Sequence, residues 1–404
     1  MGAAPSVWLV MVALLGVHLA GMGAFLTVPV LAPAIAAETG LSPSLTGFHT
    51  AMVYGGALIS GPFTAALLRA WGGVRLLQVA LCVIAAAILL ALVGEAWALA
   101  ASALLGGFGH GPVTPAGSHL LASRAPPHRR GLIFSLKQTG VPAGNMLIAA
   151  LAPAVGVAFG WRWGVVVVAV MAVAIAASLQ PLRAALDSDR DAQARIDGGA
   201  LRDAAASLRL LREDPALLGL TLAAAGLGAS QFCFASFFVV WQVESLGVPL
   251  AQAGVALALG QASGALGRVA WGILGDRLGA RPVLIALALG TAASALLLAL
   301  AGPSWPQAGI VLAGMAMGAT AVGWNGLLLG ELARLAPPGR AGGATAAMGV
   351  VFGAAMILSP SAFSALVIVT GSYAPGFLLC AGLALAGTGA LFIGRVANPA
   401  GRGR

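Results

Sequence analysis

Over 404 residues the chain is 60% hydrophobic and only 8% charged, with a mean hydropathy of +0.98 and a formal net charge of +9. Soluble domains carry charge on about a quarter of their residues, so that class is excluded and a polytopic membrane protein is implied. Each spanning helix needs about 20 apolar residues, and twelve such helices leave about 34 residues per span and connector.

Apolar runs stand near residues 7–31, 44–68, 74–94, 97–123, 131–158 and 163–182, and a second set near 216–241, 250–275, 283–301, 308–335, 342–369 and 375–396. Small residues between Ala32 and Ala37 have the look of a signal-peptidase site. No basic segment precedes the first run, and that run is too long for a signal core, so it is read as a retained span. Connectors alternate in charge. The turns at Arg69 to Arg75 and Arg124 to Arg130 are basic, whereas those at Glu38 and Glu95 are not. Of 21 Lys and Arg residues, Arg162 alone falls on the outer side and Lys137 and Arg268 fall within spans. The other basic residues lie at one membrane face, as the positive-inside rule requires, which places both termini in the cytoplasm. The positive charge is therefore topological, and nucleic acid is not expected as a partner. Cys82, Cys233 and Cys380 fall inside apolar runs, so neither a disulfide framework nor a metal cluster is indicated.

A polar stretch from Arg183 to Asp214 separates the two sets and carries six arginines and seven acidic residues. The expected organisation is a six-helix bundle over 1–182, a cytoplasmic linker over 183–215, a second bundle over 216–396 and a short tail over 397–404. Leu201, Leu208 and Leu211 fall near one helical face, so part of the linker is expected either to lie along the inner membrane surface or to act as a flexible tether. A shift of 207 residues lays Gly40 on Gly247, Gly47 on Gly254 and Gly72 on Gly279, which makes the two sets an internal repeat.

Between two of the apolar runs, Gly272, Gly275, Asp276, Arg277, Gly279 and Arg281 form G-x-x-G-D-R-x-G-x-R. This resembles the loop signature of the major facilitator superfamily of secondary transporters. The resemblance, with the repeat, implies an all-α membrane protein of twelve transmembrane helices in two pseudo-symmetric six-helix halves. At the matching turn of the first half Arg69 replaces the family's usual Asp, so one of two symmetric locks is lost. Asp276, Arg277, Gly279 and Arg281 are then expected to form the remaining conformational lock, with Asp276 facing Arg129, Arg130 and the start of helix five.

Ionisable groups inside lipid are costly and mark function. Lys137 lies about 10 Å into helix five and Arg268 about 12 Å into helix eight, at 1.5 Å per residue. Two cations at matching depth call for an anion, with Arg268 offering a bidentate fork and Lys137 a point charge. Gln261 and Gly264 share the helical face of Arg268, while Gly140 and Gly144 share that of Lys137 and leave room beside it. The segment around Arg268 also resembles the corresponding helix of oxalate/formate and monocarboxylate transporters, where an arginine binds carboxylate. Helices one, four, seven and ten line the cavity in this family. That adds His110, Gln231, Trp324 and Asn325 as binding candidates, and His18, His110 and Glu331 as coupling candidates. Pro112 and Pro115 are expected to bend helix four.

The expected function is alternating-access transport of a small organic anion across the bacterial inner membrane, as proton symporter or exchanger, by a monomer without cofactor. A drug/proton antiporter is second. Gly140-Val-Pro-Ala-Gly144 loosely resembles the glycine-proline motif of those exporters, but no mid-span acid and no helix-four arginine accompanies it. A membrane-embedded enzyme is the remaining alternative, without paired carboxylates or a phosphate-cradling loop to support it.

Overall fold

The computed structural model describes residues 5–122, 124, 126, 133, 136–191, 208–336 and 340–396. Its helices are α1 (Val7–Thr39), α2 (Pro43–Trp71), α3 (Gly73–Val93), α4 (Ala96–His110 and Val113–Ala122), α5 (Leu136–Phe159), α6 (Trp161–Leu186) and α7 (Pro215–Leu246). They continue as α8 (Leu250–Leu278), α9 (Ala280–Leu300), α10 (Gln307–Leu335), α11 (Gly342–Thr370) and α12 (Ala374–Val396). Ten of these are long and apolar enough to cross a membrane. The other two differ for local reasons. Gly111-Pro112 splits α4 into two short segments, as the prolines lead one to expect. Polar residues including Gln261, Arg268, Asp276 and Arg277 dilute α8, although it runs for 29 residues.

Contacts divide the chain into two compact units, residues 1–200 with 249–258 and residues 201–248 with 259–404. The repeat seen in sequence reappears in the backbone. Gly40 and Gly247 end α1 and α7 at φ of 73° and 66°, and Gly72 and Gly279 turn the chain at φ of 84° and 90°. Positive φ of this size disfavours side chains, so glycine at these four positions is a requirement of the turns.

In the first unit small residues let backbones touch, the packing that a bilayer favours because lipid supplies no hydrophobic drive between helices. A Cβ on Gly56 would overlap the Leu104 carbonyl, and one on Gly107 the Val53 carbonyl, so α2 and α4 meet without intervening side chains. At one end of the unit, Glu38 accepts hydrogen bonds from Trp161 Nε1 at 2.7 Å and Arg162 Nη1 at 2.6 Å, giving that arginine an acidic partner. At the other end, buried Asp187 follows the last turn of α6. Its carboxylate accepts from the backbone N–H of Val74 at 2.7 Å and of Arg75 at 3.0 Å, capping the start of α3. The N–H of Asp191 donates to the Arg69 carbonyl at 2.8 Å, and His119 pairs with Asp189 at 2.9 Å. Residues 183–191, expected as linker, thus dock on the turn between α2 and α3.

The second unit is built on α7. Asp214 caps its start by accepting from Ala216 and Leu217, with Pro215 at the first helical position. Its 32 residues then stay buried along most of their length, against α12 and α11. Phe237 stacks on Phe363 with ring centroids 3.9 Å apart, and Phe377 and Trp241 extend that cluster. Leu211 lies in the unit's apolar core with Leu208 packed against it. The expectation that these two leucines rest on the membrane surface is therefore corrected, since the core offers them a deeper apolar site. Leu201 lies outside the described residues.

Candidate functional site

Three helices converge on a polar cluster in the first unit. α1 is interrupted at Met22 between two glycines, and the N–H of Met22 is shared by the carbonyls of His18 and Leu19. The break leaves the Gly21 carbonyl as an acceptor, and His110 Nδ1, at the end of the first segment of α4, donates to it at 3.1 Å. Phe25 packs against the His110 ring at 4.6 Å between centroids. One turn before the break, His18 is 1% exposed and its Nδ1 donates to the Leu14 carbonyl at 2.9 Å. Lys137, also 1% exposed, donates from Nζ to Ser118 Oγ at 2.7 Å and to the Thr114 carbonyl at 3.4 Å. A Cβ on Gly117, the residue before Ser118, would lie 3.4 Å from the His18 ring, and one on Gly21 would lie 3.5 Å from His110 Nδ1, so α1 carries contacts to both groups of α4. The structure therefore brings together His18, His110 and Lys137, which sequence treated as separate candidates.

Gly140 and Gly144 do not leave room beside Lys137. A Cβ on Gly140 would lie 2.8 Å from His18 Cβ, and one on Gly144 2.6 Å from the Leu19 carbonyl, so both glycines are filled by the α1 backbone.

A second cluster forms in the other unit, where α10 is interrupted between Ala321 and Asn325. Arg268 Nε donates to the Val322 carbonyl at 3.1 Å, and Trp271 Nε1 donates to the Ala319 carbonyl at 2.8 Å. A Cβ on Gly264 would lie 2.6 Å from Val322, which sets Gly264 and Arg268 on the same side of α8, as their spacing predicts. Asn325 Nδ2 donates to Gln231 Oε1 at 3.4 Å, joining α10 to α7. Gln261 is fully buried on α8.

Two candidates are corrected. Trp324 is 2% exposed within an apolar core that includes Leu328 and Met348, and its ring packs on Phe352, so it serves packing rather than binding. The carboxylate of Glu331 is paired with Arg334 three residues later, with Nε 2.7 Å from Oε2, so a coupling role would require that pair to break. Of the expected lock, Asp276 and Arg277 are exposed, Gly279 makes the positive-φ turn, and the Arg281 guanidinium lies over the Phe392 ring at 6.0 Å. Arg129 and Arg130 lie outside the described residues. Sequence reasoning missed Ser118, Thr114, Val322 and Asp187. The glycine at 323 inside an otherwise helical run was a usable signal for the Val322 carbonyl.

Among the described residues no group of three or more His, Cys, Asp or Glu could hold a metal ion.

The Major Facilitator Superfamily model matches residues 13–360. Two uncharacterized MFS-type transporters from Mycobacterium tuberculosis strains, MT3072 and Rv2994, are each 30% identical over 280 residues. Those matches cover 68% of this chain and 60% of each relative's length. Among solved structures, the nucleoside transporter NupG superposes with a TM-score of 0.74 at 14% identity, over 96% of this chain and 99% of that one. A bacterial homolog of the human lysosomal transporter Spinster, in an inward-facing and occupied conformation, gives 0.68 at 16% identity, over 98% of this chain and 96% of that one. At these identities the likeness is one of fold, and it supports the twelve-helix architecture.

Proposed function

The chain belongs to the major facilitator superfamily, and on that premise we propose that it is a secondary transporter of small organic anions, working by alternating access in a bacterial inner membrane. The observation that carries this reading is a pair of cations within the helices of the two units, Lys137 in the apolar span α5 and Arg268 in the 29-residue helix α8. Each is oriented by neutral oxygens: Ser118 and the Thr114 carbonyl hold Lys137, and the Val322 carbonyl holds Arg268. A carboxylate can take charge-assisted hydrogen bonds from an ammonium and from a guanidinium, so these two side chains are the groups through which such a cargo would be held. His18 on α1 and His110, bonded to the α1 break, are the groups through which protons would couple to that cargo.

The sequence offers no mid-span Asp or Glu to neutralise a cationic drug, which keeps drug export in second place. Truncating one partner of a buried charge contact costs about 2–5 kcal/mol, so Arg268→Gln is expected to lower flux by about 30-fold or more. The test is uptake of carboxylates into proteoliposomes at equal protein density. Undiminished flux in the variant would refute the assignment. A neutral cargo is a further reading, favoured by the uncharged Gln231–Asn325 amide pair beside the α10 break. Under it, Asn325→Ala would abolish flux while Arg268→Gln would spare it.

A further inference from the structure

At the end of the first unit that carries the turn between α2 and α3, a cavity of about 500 Å³ lies along the last turns of α6 and the residues that follow. Gln180, Arg183, Asp187, Ser188 and Arg190 line it, with Ala184 the one apolar contributor. The acid among them is engaged elsewhere. Asp187 takes the Val74 N–H at Oδ1 and the Arg75 N–H at Oδ2, and so faces the positive end of the α3 dipole. Arg183 Nε stands 3.8 Å from Asp187 Oδ2, too far for a hydrogen bond.

Every other polar group in the lining can donate. Gln78 Nε2 donates to the Ala176 carbonyl at 3.1 Å and to Gln180 Oε1 at 2.9 Å. A carbonyl only accepts, so Gln78 presents its nitrogen there, Gln180 answers with its oxygen, and the Gln180 amide nitrogen is left as a donor. Among the described residues, the Ser188 hydroxyl and the Arg190 guanidinium have no protein partner. A basic residue in the last turn of α6 suits that helix's own dipole, which accounts for Arg183 alone. Arg190 lies beyond the helix and the oriented Gln180 amide is uncharged, so the dipole explains neither. Guanidinium forks match the oxygens of a phosphate, and a phosphate has further oxygens for the amide and the hydroxyl.

We propose that this cavity holds the phosphate group of an anionic molecule, gripped by Arg183 and Arg190 and completed by Ser188 and Gln180. The phosphate belongs either to the headgroup of an anionic membrane lipid or to a free phosphorylated small molecule, and the two share this chemistry. The orientation expected from the basic connectors sets this end against the inner leaflet, where basic pockets meet anionic headgroups. The site is separate from the cargo reading, because it contains neither Lys137 nor Arg268 and its test reads binding rather than flux.

The test uses the purified full chain in detergent and follows apparent melting temperature, which a ligand of the folded state raises to saturation. The probes are dihexanoyl-phosphatidylglycerol, the zwitterionic dihexanoyl-phosphatidylcholine and inorganic phosphate, all at one ionic strength so that screening is matched. Phosphatidylglycerol should stabilise at lower concentration than phosphatidylcholine, whose ammonium is repelled by the two guanidinium groups. Arg190→Gln should raise the half-effect concentration of the stronger probe about tenfold, the lower end of what a charge-assisted hydrogen bond contributes. Arg183→Gln should act likewise, and should it unsettle the neighbouring Asp187 cap, Arg190→Gln carries the test alone. Arg212→Gln, which removes an exposed arginine outside the cavity, should change nothing. Inorganic phosphate separates the sources: a half-effect no higher than that of phosphatidylglycerol identifies a free molecule, and a higher one or none identifies the lipid. Equal potency of the two lipids, a loss with Arg212→Gln as large as with Arg190→Gln, or no saturable response to any probe would overturn the proposal.

Discussion

Replacing Asp187 tests whether an acid at the end of α6 stands in for the one that Arg69 displaces from the turn between α2 and α3. Its carboxylate receives two backbone N–H groups, from Val74 at 2.7 Å and Arg75 at 3.0 Å, and is itself buried. Hydrogen bonds to charged groups contribute about 1.5–3 kcal/mol each, while a helix-capping side chain as a whole is typically worth about 1–2 kcal/mol. The two bonds share one carboxylate, so Asp187→Ala is expected to cost about 2–4 kcal/mol, the higher figure reflecting two N–H groups left buried. Asp187→Asn keeps one acceptor oxygen and should lose roughly half of that. For a unit of about 200 residues these losses correspond to a fall in apparent melting temperature of about 5–10 °C for the alanine variant. Thermal unfolding of purified protein in detergent, followed by tryptophan fluorescence, is the assay. If both variants melt within about 1 °C of wild type, the carboxylate is not a cap that matters and the reasoning fails.

Further expectations follow from neighbouring features. Gly107→Leu should strip folded protein from the membrane, because its side chain would collide with the Val53 carbonyl where α2 and α4 touch; normal yield on size-exclusion chromatography would contradict this. His119→Ala should alter melting by no more than about 1 kcal/mol equivalent, since its pairing with Asp189 is solvent-exposed. Glu331→Gln should leave the pH dependence of transport unchanged, because that carboxylate is occupied by Arg334; a shifted pH profile in liposomes would restore it as a coupling candidate. Gly279→Ala should destabilise by about 1–2 kcal/mol through its positive φ alone, measurable in the same melting assay.

Local chemistry was the legible part. Gly40 with Gly247 and Gly72 with Gly279 announced the duplication, because only glycine suits such turns and it therefore marks them in sequence. Pro112 announced the break in α4 by the same logic. The clusters were less legible because their partners are distant or anonymous. Lys137 bonds to Ser118 and to a backbone carbonyl, and nothing in the helix-five segment names either. Asp187 acts across 113 residues of chain. Trp324 was named on the family's use of helix ten alone, which does not say to which side of a helix broken between Ala321 and Asn325 a residue turns. Gly140 and Gly144 were read as empty space, but in a bundle the absence of a side chain invites the next backbone in.

The interruption of α10 also couples two helices through a backbone oxygen. Arg268 of α8 is held at 3.1 Å by the carbonyl of Val322, which lies within the break, so a rearrangement that straightened α10 would draw this acceptor back into the helix and oblige the guanidinium to turn.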